Sequence, residues 1–336
     1  MNIVNSYSLR NHNTFHINVN AEFFININSE DQLIDLLDRK NNNKNKFVLG
    51  GGSNILLTKD INGLVIHNQI KGLNIVYEDN HQVILQVGAG ELWDDVVEWS
   101  TERDLYGIEN LSLIPGYAGA APIQNIGAYG SELKYVFEEL DAINLHTKEK
   151  IKLNKNDCKF GYRDSIFKNK LSNEFIITQI KIKLSKDKNL NIDYKILQDH
   201  INKLKKENIT SKDIRNQVIK IRTSKLPNPS KIGNAGSFFK NPIIKKNTLL
   251  ELQKEYPEIP YFAKKEEIKI PAAWLIEKGQ WKGYKEKTCG IYAKHALILI
   301  NNGGATGKEI VNLSNRIKKD IYKKFNVILE EEVSII

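Results

Sequence analysis

Cysteine is scarce in this 336-residue chain. Cys158 and Cys289 stand alone, without Cys-x-x-Cys spacing, which leaves no material for a disulfide framework or a cysteine zinc site, and no metal is expected. Long apolar runs are missing too. The longest uninterrupted aliphatic stretch, 296–300, is far short of the ~20 residues a membrane-spanning helix needs. The first residues, Met-Asn-Ile-Val-Asn-Ser-Tyr-Ser-Leu-Arg, hold no basic stretch followed by an apolar one, so a secretory signal is not expected and a cytoplasmic location is. No internal repeat marks a solenoid. What is present is ordinary for globular chains: 41% hydrophobic and 26% charged residues, which excludes disordered and collagen-like architectures. At ~100–200 residues per domain, two or three domains are expected.

Acidic residues are in deficit, 40 Asp+Glu against 49 Lys+Arg, for a formal charge of +9. A nucleic-acid partner would explain this, but no zinc-finger spacing and no aromatic RNA-binding signature accompanies the charge. Lys and Asn are spread everywhere, including the turn-like Asn41-Asn-Asn-Lys-Asn-Lys46. The densest basic stretches, 181–188 and 203–206, alternate with apolar residues and read as solvated faces of a strand and a helix. No nucleic-acid partner is expected.

Along the chain, 23–27 reads as a strand, and Ser29 with Gln32 as a capping box opening a helix striped by Leu33, Ile34, Leu36 and Leu37. Strands are expected at 46–49, 63–67 and 82–87, a helix at 91–103, and short strands from 137 to 184. Two prolines in Lys225-Leu-Pro-Asn-Pro-Ser230 mark a domain boundary. Beyond it, helices are expected at 248–256 and 272–278, the second stopped by Gly279. A long one is capped by Thr306 and Glu309 and striped by Ile310, Leu313, Ile317, Ile321 and Phe325. A strand over 326–336 ends the chain, and the mixture is α+β.

Two motifs mislead. Asn302-Gly-Gly-Ala-Thr-Gly-Lys-Glu309 lacks both the leading glycine and the Ser or Thr after the Lys that a phosphate-binding loop needs, and reads as a helix start. His12 and His16, four apart without a nearby third ligand, read as surface histidines. Two glycine-rich loops carry more weight. Gly50, Gly51, Gly52, Ser53 and Asn54 follow a strand, where consecutive glycines let backbone N–H groups converge on an anion. Residues 114–130 hold Pro115, Gly116, Gly119, Gln124, Asn125, Gly127, Ala128, Tyr129 and Gly130, with alanines between. Neither loop is Gly-x-Gly-x-x-Gly before a helix, so a large cofactor held through the backbone is expected rather than a Rossmann site. Gly161-Tyr-Arg-Asp-Ser-Ile-Phe167 offers either a structural ion pair or an arginine aimed at a substrate carboxylate. Gly233-Asn-Ala-Gly-Ser237-Phe-Phe-Lys-Asn-Pro242 places a hydroxyl on a bent backbone beside apolar walls, and it is not the Gly-x-Ser-x-Gly of a hydrolase elbow.

In combination and order, these segments resemble the UDP-N-acetylenolpyruvoylglucosamine reductase family over nearly the whole chain. The resemblance implies a two-lobed FAD-binding fold of the vanillyl-alcohol-oxidase type over 17–187, with lobes of about 1–70 and 71–220. It implies an α+β substrate-binding domain over 221–325 and a final strand, 326–336, carrying a catalytic Glu. It further implies non-covalent FAD, NADPH as co-substrate, and hydride transfer to an enolpyruvyl ether in peptidoglycan synthesis, in a monomer. By motif the catalytic residues are Arg163, Ser237 and Glu332, with Ser237 giving the proton. The cofactor residues are Gly50, Gly51, Gly52, Ser53, Asn54, Pro115, Gly116, Gly119, Gln124, Asn125, Gly127, Ala128 and Tyr129. Tyr194, in a segment that marks the long subtype of the family, closes on the substrate diphosphate, which Lys225 and Asn241 also contact. Glu330 and Glu331 rival Glu332, although strand alternation puts Glu331 on the opposite face. Tyr117 stands where relatives have a small residue or Cys. Two other readings are a different oxidoreductase on the same flavin scaffold and a basic nucleotide-binding protein without chemistry.

Overall fold

Apolar residues at Ile25 and Ile27 of the strand Asn20–Ile27 need a cover, and the helix Glu30–Asp38 supplies it with Leu33, Leu36 and Leu37. Ser29 Oγ caps that helix by accepting the Gln32 N–H at 3.2 Å, but the reciprocal bond from Gln32 Oε1 goes to the N–H of Asn28 at 2.9 Å, one residue earlier than a capping box would place it. Ile34 faces outward. The computed structural model describes residues 2–39, 45–264 and 267–336; of the turn expected at 41–46, residues 41–44 lie outside the described residues.

The chain divides into two compact units. Unit one comprises Met1–Tyr7, Ala21–Gly51 and Ile61–Ser224. Its first sheet runs in the order Val4–Ser8, Asn20–Ile27, Ile61–Asn68, Lys46–Leu49, with both pairings of Ile61–Asn68 parallel. Its second sheet is antiparallel: Lys150–Asn154, Phe137–Asn144, Phe175–Ser185, Gln82–Gly88, Leu73–Glu78. The helix expected at 91–103 is shorter, Trp93–Thr101, and packs Trp93, Val96 and Val97 with Leu85, Val87 and Ile180. The lysines of 181–188 do line a strand face, but as ion pairs: Lys181 with Glu139 at 2.7 Å, Lys183 with Glu138 at 2.9 Å, Lys186 with Glu78 at 2.6 Å. Residues 203–206 form no helix face; the helix Lys195–Asn202 ends before them and Lys205 takes a positive φ of 50°. The helices Lys195–Asn202 and Ser211–Lys225 share a small core of Leu197, Ile201, Ile214, Val218 and Ile221.

Unit two is assembled from Ser8–Asn20, Gly52–Asp60 and Lys225–Ile336. Its spine is the helix Gly307–Phe325, whose apolar stripe is buried at all five expected positions and whose capping box by Thr306 and Glu309 is complete. The misleading glycine motif is therefore the lead-in to a helix. The hairpin Cys289–Ile291 and Leu299–Asn301, the helices Lys246–Glu255 and Ala272–Lys278, and a three-stranded sheet of Ile243–Ile244, Glu267–Lys269 and Phe262–Lys264 complete it. The long final strand does not form. Only Ser334–Ile335 pairs regularly, parallel to Ile55–Leu56, while Glu331 makes a single bridge to Phe239. His12 and His16 are not surface residues either: both are half-buried, and His16 Nε2 contacts the Pro229 carbonyl at 2.8 Å. Burial pushes the Cys158 thiol up to about 12 and the Cys289 thiol, beside Glu286, up to about 11, so neither is a nucleophile at neutral pH.

Candidate active site

In unit one the strand Lys46–Leu49 delivers Gly50 and Gly51 against the loop at Gly116. A Cβ on Gly51 would stand 2.9 Å from the Gly116 Cα, closer than real side chains come, whereas one on Gly50 would meet Ala120 at 3.7 Å, an ordinary contact. Among the described residues, the backbone N–H groups of Gly50, Gly51, Gly116 and Tyr117 donate to no protein acceptor. Four half-buried donors on two touching loops are an arrangement that an anion completes. The rest of the second loop is held by the protein. The Gly119 N–H goes to the Ala89 carbonyl at 2.9 Å, and its missing side chain makes room for Ala89. Asn125 is fully buried in a left-handed conformation, its Nδ2 bonded to Glu132 Oε2 and the Gly161 carbonyl, both at 2.9 Å, and its Oδ1 to the Lys134 N–H. Its side chain is thus a clamp with no hydrogen to give a cofactor. Pro115 precedes Gly116, Gln124 precedes Asn125, and Ala128 pairs with Ser131 in a two-residue ladder.

Arg163 belongs to the same region. Its Nη2 donates to the Gly127 carbonyl at 2.6 Å, and its guanidinium lies 5.5 Å from the Tyr162 ring centroid. Its backbone φ is +54°, a strained conformation for a non-glycine residue and one that persists only where surroundings impose it. Gly127 is needed because a Cβ there would come within 2.9 Å of the Ser131 carbonyl oxygen, a backbone atom, as well as of Arg163 Nη1. Asp164 accepts from Asn169 Nδ2 at 3.0 Å. Tyr129, two residues after Gly127, sets its ring edge-on to Tyr194 at 5.5 Å, and its phenol, pushed up chiefly by burial, is hydrogen-bonded to Arg222. Tyr194 is exposed at the start of the helix Lys195–Asn202. Asn110 ties the two tyrosine segments together through the Tyr129 and Asn191 carbonyls, both at 2.8 Å.

Unit two carries Ser237 and Glu332. Asn234 Oδ1 accepts the Gly236 N–H at 3.0 Å, and Gly236 turns the chain at φ +71°, which sends Phe238 and Phe239 into the core at 0% and 1% exposure and leaves Ser237 half-buried between them and the bend. Within the described residues its hydroxyl is committed to no hydrogen bond. Glu332 runs alongside: its N–H donates to the Phe238 carbonyl at 2.8 Å. Asn54 braces this terminus, donating from Nδ2 to the Glu332 carbonyl at 3.2 Å and accepting the Ser334 N–H at 3.0 Å, so here it positions Glu332. Ser53 and Gly52 lead into it, Gly52 with φ +60° against His12. The rival carboxylates are placed elsewhere. Glu331 is bonded to Lys318 Nζ at 2.8 Å and Ser314 Oγ, and Glu330 is exposed beside Lys240.

Asn241 Oδ1 accepts the Ala272 N–H at 2.9 Å, fixing the start of the helix Ala272–Lys278. Lys225 is exposed at the entry to unit two. Sequence reasoning missed its neighbours His295 and Lys282, which no motif flags. They emerge only because both lysines depress the His295 imidazole, after burial, which is the larger cause.

Comparison with known proteins gives these loops a context. Residues 21–148 match the family model of an FAD binding domain, and residues 228–336 match the model of the C-terminal domain of UDP-N-acetylenolpyruvoylglucosamine reductase. A flavin-binding domain joined to this C-terminal domain defines a flavoprotein oxidoreductase. The UDP-N-acetylenolpyruvoylglucosamine reductases of Flavobacterium johnsoniae and Amoebophilus asiaticus are 45% and 44% identical to it, each alignment covering 100% of both chains, and that of Buchnera aphidicola is 45% identical over 98% of both. The chain belongs to the UDP-N-acetylenolpyruvoylglucosamine reductase family. The solved reductase from Thermus caldophilus, 20% identical, has the same fold, with a TM-score of 0.68 over 99% of this chain and 98% of its own.

Proposed function

We propose that this chain reduces UDP-N-acetylglucosamine enolpyruvate to UDP-N-acetylmuramate for peptidoglycan synthesis, with NADPH as reductant and FAD as bound cofactor. The observation that carries the reading is the 45% identity spanning the whole chain. Unit one fits the cofactor: the four unpartnered N–H groups of Gly50, Gly51, Gly116 and Tyr117 suit a diphosphate, and Pro115, Gln124, Gly127, Ala128 and Tyr129 belong to the second of these loops. Bound FAD supplies the hydride. Ser237 holds a proton for the carbon that becomes carbanion-like, a task a neutral hydroxyl manages only for so basic an acceptor. Arg163 offers a fixed guanidinium to charge that builds on the substrate carboxylate, which lowers the barrier more than it tightens binding. Glu332 is assigned to the same intermediate by the family pattern. The reading carries a cytoplasmic location, a monomer, and an influence on cell shape and division through wall supply; among the described residues no helix is long and apolar enough to cross a membrane.

The test is NADPH oxidation by the yellow purified protein with and without UDP-N-acetylglucosamine enolpyruvate. Consumption that follows the enolpyruvyl sugar supports the reading, and consumption indifferent to it sinks it. Tyr194 and Lys225 are assigned to the diphosphate, so Tyr194→Phe and Lys225→Ala should raise KM for the UDP substrate on the order of 5- to 50-fold with reduction by NADPH intact. A loss confined to the NADPH step would move both residues to the nicotinamide.

A further inference from the structure

Tyr117 gives the cradle one backbone N–H, and its side chain leads away from that donor. The backbone is fixed by the Ala118 N–H on the Glu91 carbonyl at 2.8 Å and by a bridge to Leu92. The half-buried ring lies against His67, with centroids 5.9 Å apart and planes at 26°, and Lys71 Nζ is 5.6 Å from its centroid. His67 belongs to the first sheet of unit one, is 7% exposed, and pairs in register with Leu49, the residue before Gly50.

A chain of hydrogen bonds runs through these residues in a single sense. His67 Nδ1 meets Asn26 Oδ1 at 2.8 Å, and an amide oxygen can only accept, so Nδ1 carries the hydrogen. The other nitrogen of the neutral ring is then bare, and it accepts from Gln69 Nε2 at 3.0 Å. The same amide nitrogen donates its second hydrogen to the Tyr117 hydroxyl oxygen at 3.0 Å. Gln69 is itself locked in place: its N–H donates to the Ile27 carbonyl at 2.8 Å, and a Cβ on Gly90 would stand 2.6 Å from its Cα. With its oxygen accepting from Gln69, Tyr117 is left to present its hydrogen. Among the described residues that hydrogen meets no acceptor.

A dinucleotide held by its diphosphate leaves the cradle on two sides. One side is marked by Arg163 on the Gly127 carbonyl, where the carboxylate of the hydride acceptor is assigned, so the isoalloxazine takes it. The other follows the Tyr117 side chain to the first sheet and falls to the opposite end of the cofactor. That end is adenosine, whose ring nitrogens and ribose oxygens accept hydrogen bonds. We infer that the Tyr117 hydroxyl is a hydrogen-bond donor to the adenosine half of FAD, aimed by the relay of Asn26, His67 and Gln69. The inference rests on the reading of unit one as an FAD site, and adds a determinant of cofactor affinity that takes no part in the hydride step.

The test follows the release of FAD from the full-length holoenzyme on dilution, and its rebinding to the stripped protein, by flavin fluorescence. Tyr117→Phe removes only the hydroxyl and should bind FAD on the order of 3- to 15-fold more weakly, the loss of one neutral hydrogen bond. The flavin it holds should keep the wild-type absorption bands and phosphorus-31 resonances, because the missing contact lies beyond the diphosphate. Gln69→Glu puts a carboxylate oxygen where the amide donor stood, turns the hydroxyl hydrogen inward and should cost the same affinity. In the Tyr117→Phe background Gln69→Glu should cost nothing more, whereas a loss through charge repulsion adds. Nitrogen-15 spectra of labelled histidine should show His67 protonated at Nδ1 and bare at Nε2.

Equal FAD affinity for Phe and wild type means that the hydroxyl faces water only, and overturns the inference. Shifted absorption bands or phosphorus resonances overturn it too, by moving the contact to the isoalloxazine or the phosphates. So do a raised KM for NADPH at unchanged FAD affinity, additive losses in the double variant, or a bare Nδ1 on His67. Wild type that binds no FAD removes the cofactor reading as well, whereas Phe and wild type that bind FAD alike leave that reading standing.

Discussion

Ser237→Ala is expected to leave the protein yellow and still bleached by NADPH at the wild-type rate, while the return of colour on adding the enolpyruvyl substrate slows by a factor on the order of 10²–10⁴, the range for losing a positioned acid. The local structure gives the reason for the asymmetry. The bend is built by Asn234 Oδ1 on the Gly236 N–H and by the positive φ of Gly236, and the wall by Phe238 and Phe239, so none of the turn depends on the Ser237 hydroxyl. Removing it should cost chemistry and little else. Ser237→Cys keeps a proton in nearly the same place and should retain partial activity. If the hydroxyl merely shaped the turn, the order would reverse, with Ala harmless and the bulkier Cys worse. Stopped-flow traces of the two half-reactions decide, and an Ala variant with normal return of colour takes Ser237 out of the mechanism.

The second large effect belongs to Gly51. A Cβ at 2.9 Å from the Gly116 Cα cannot be relieved by a rotamer change, because the obstacle is backbone, so Gly51→Val must force apart the two loops whose N–H groups lack protein acceptors. Displacing two of those four donors from a charged phosphate, at ~1.5–3 kcal/mol each, weakens flavin binding on the order of 10²–10⁴-fold. The purified variant should be colourless. Gly50→Ala is the matched control: its Cβ meets Ala120 at an ordinary 3.7 Å and should leave flavin stoichiometry unchanged. Flavin content after gel filtration reads both, and a fully yellow Gly51→Val would refute the cradle.

The pattern of apolar residues made the elements legible where one face is buried and a cap marks the start. Thr306 with Glu309 and the stripe from Ile310 to Phe325 specify the long helix completely, because capping and periodicity agree. The final segment was illegible for the opposite reason. Val327, Leu329 and Val333 are buried as a strand's would be, yet the ladder partners are one residue, Phe239, and one pair, Ile55–Leu56, supplied by remote parts of the chain. The glycine loops announced themselves by composition, but not the reason for each glycine. Gly119 and Gly127 make room for Ala89 and the Ser131 carbonyl, and the Asn125 side chain is consumed by Glu132, Gly161 and Lys134. Those are tertiary contacts that no local spacing encodes. His295 and Lys282 left no trace for the same reason.

Unit two needs Ser8–Asn20 and Gly52–Asp60 as well as everything after Ser224. Asn301 shows the dependence: its Nδ2 is satisfied by the Phe15 carbonyl at 2.8 Å, nearly three hundred residues earlier. During synthesis these early segments must wait, unpaired, until the last third of the chain has been made. High contact order of this kind slows folding and prolongs exposure of sticky surface, a burden that falls on chaperones. A fragment cut at residue 228, where the C-terminal family match begins, would lack two of its three pieces and should not be used as an autonomous domain.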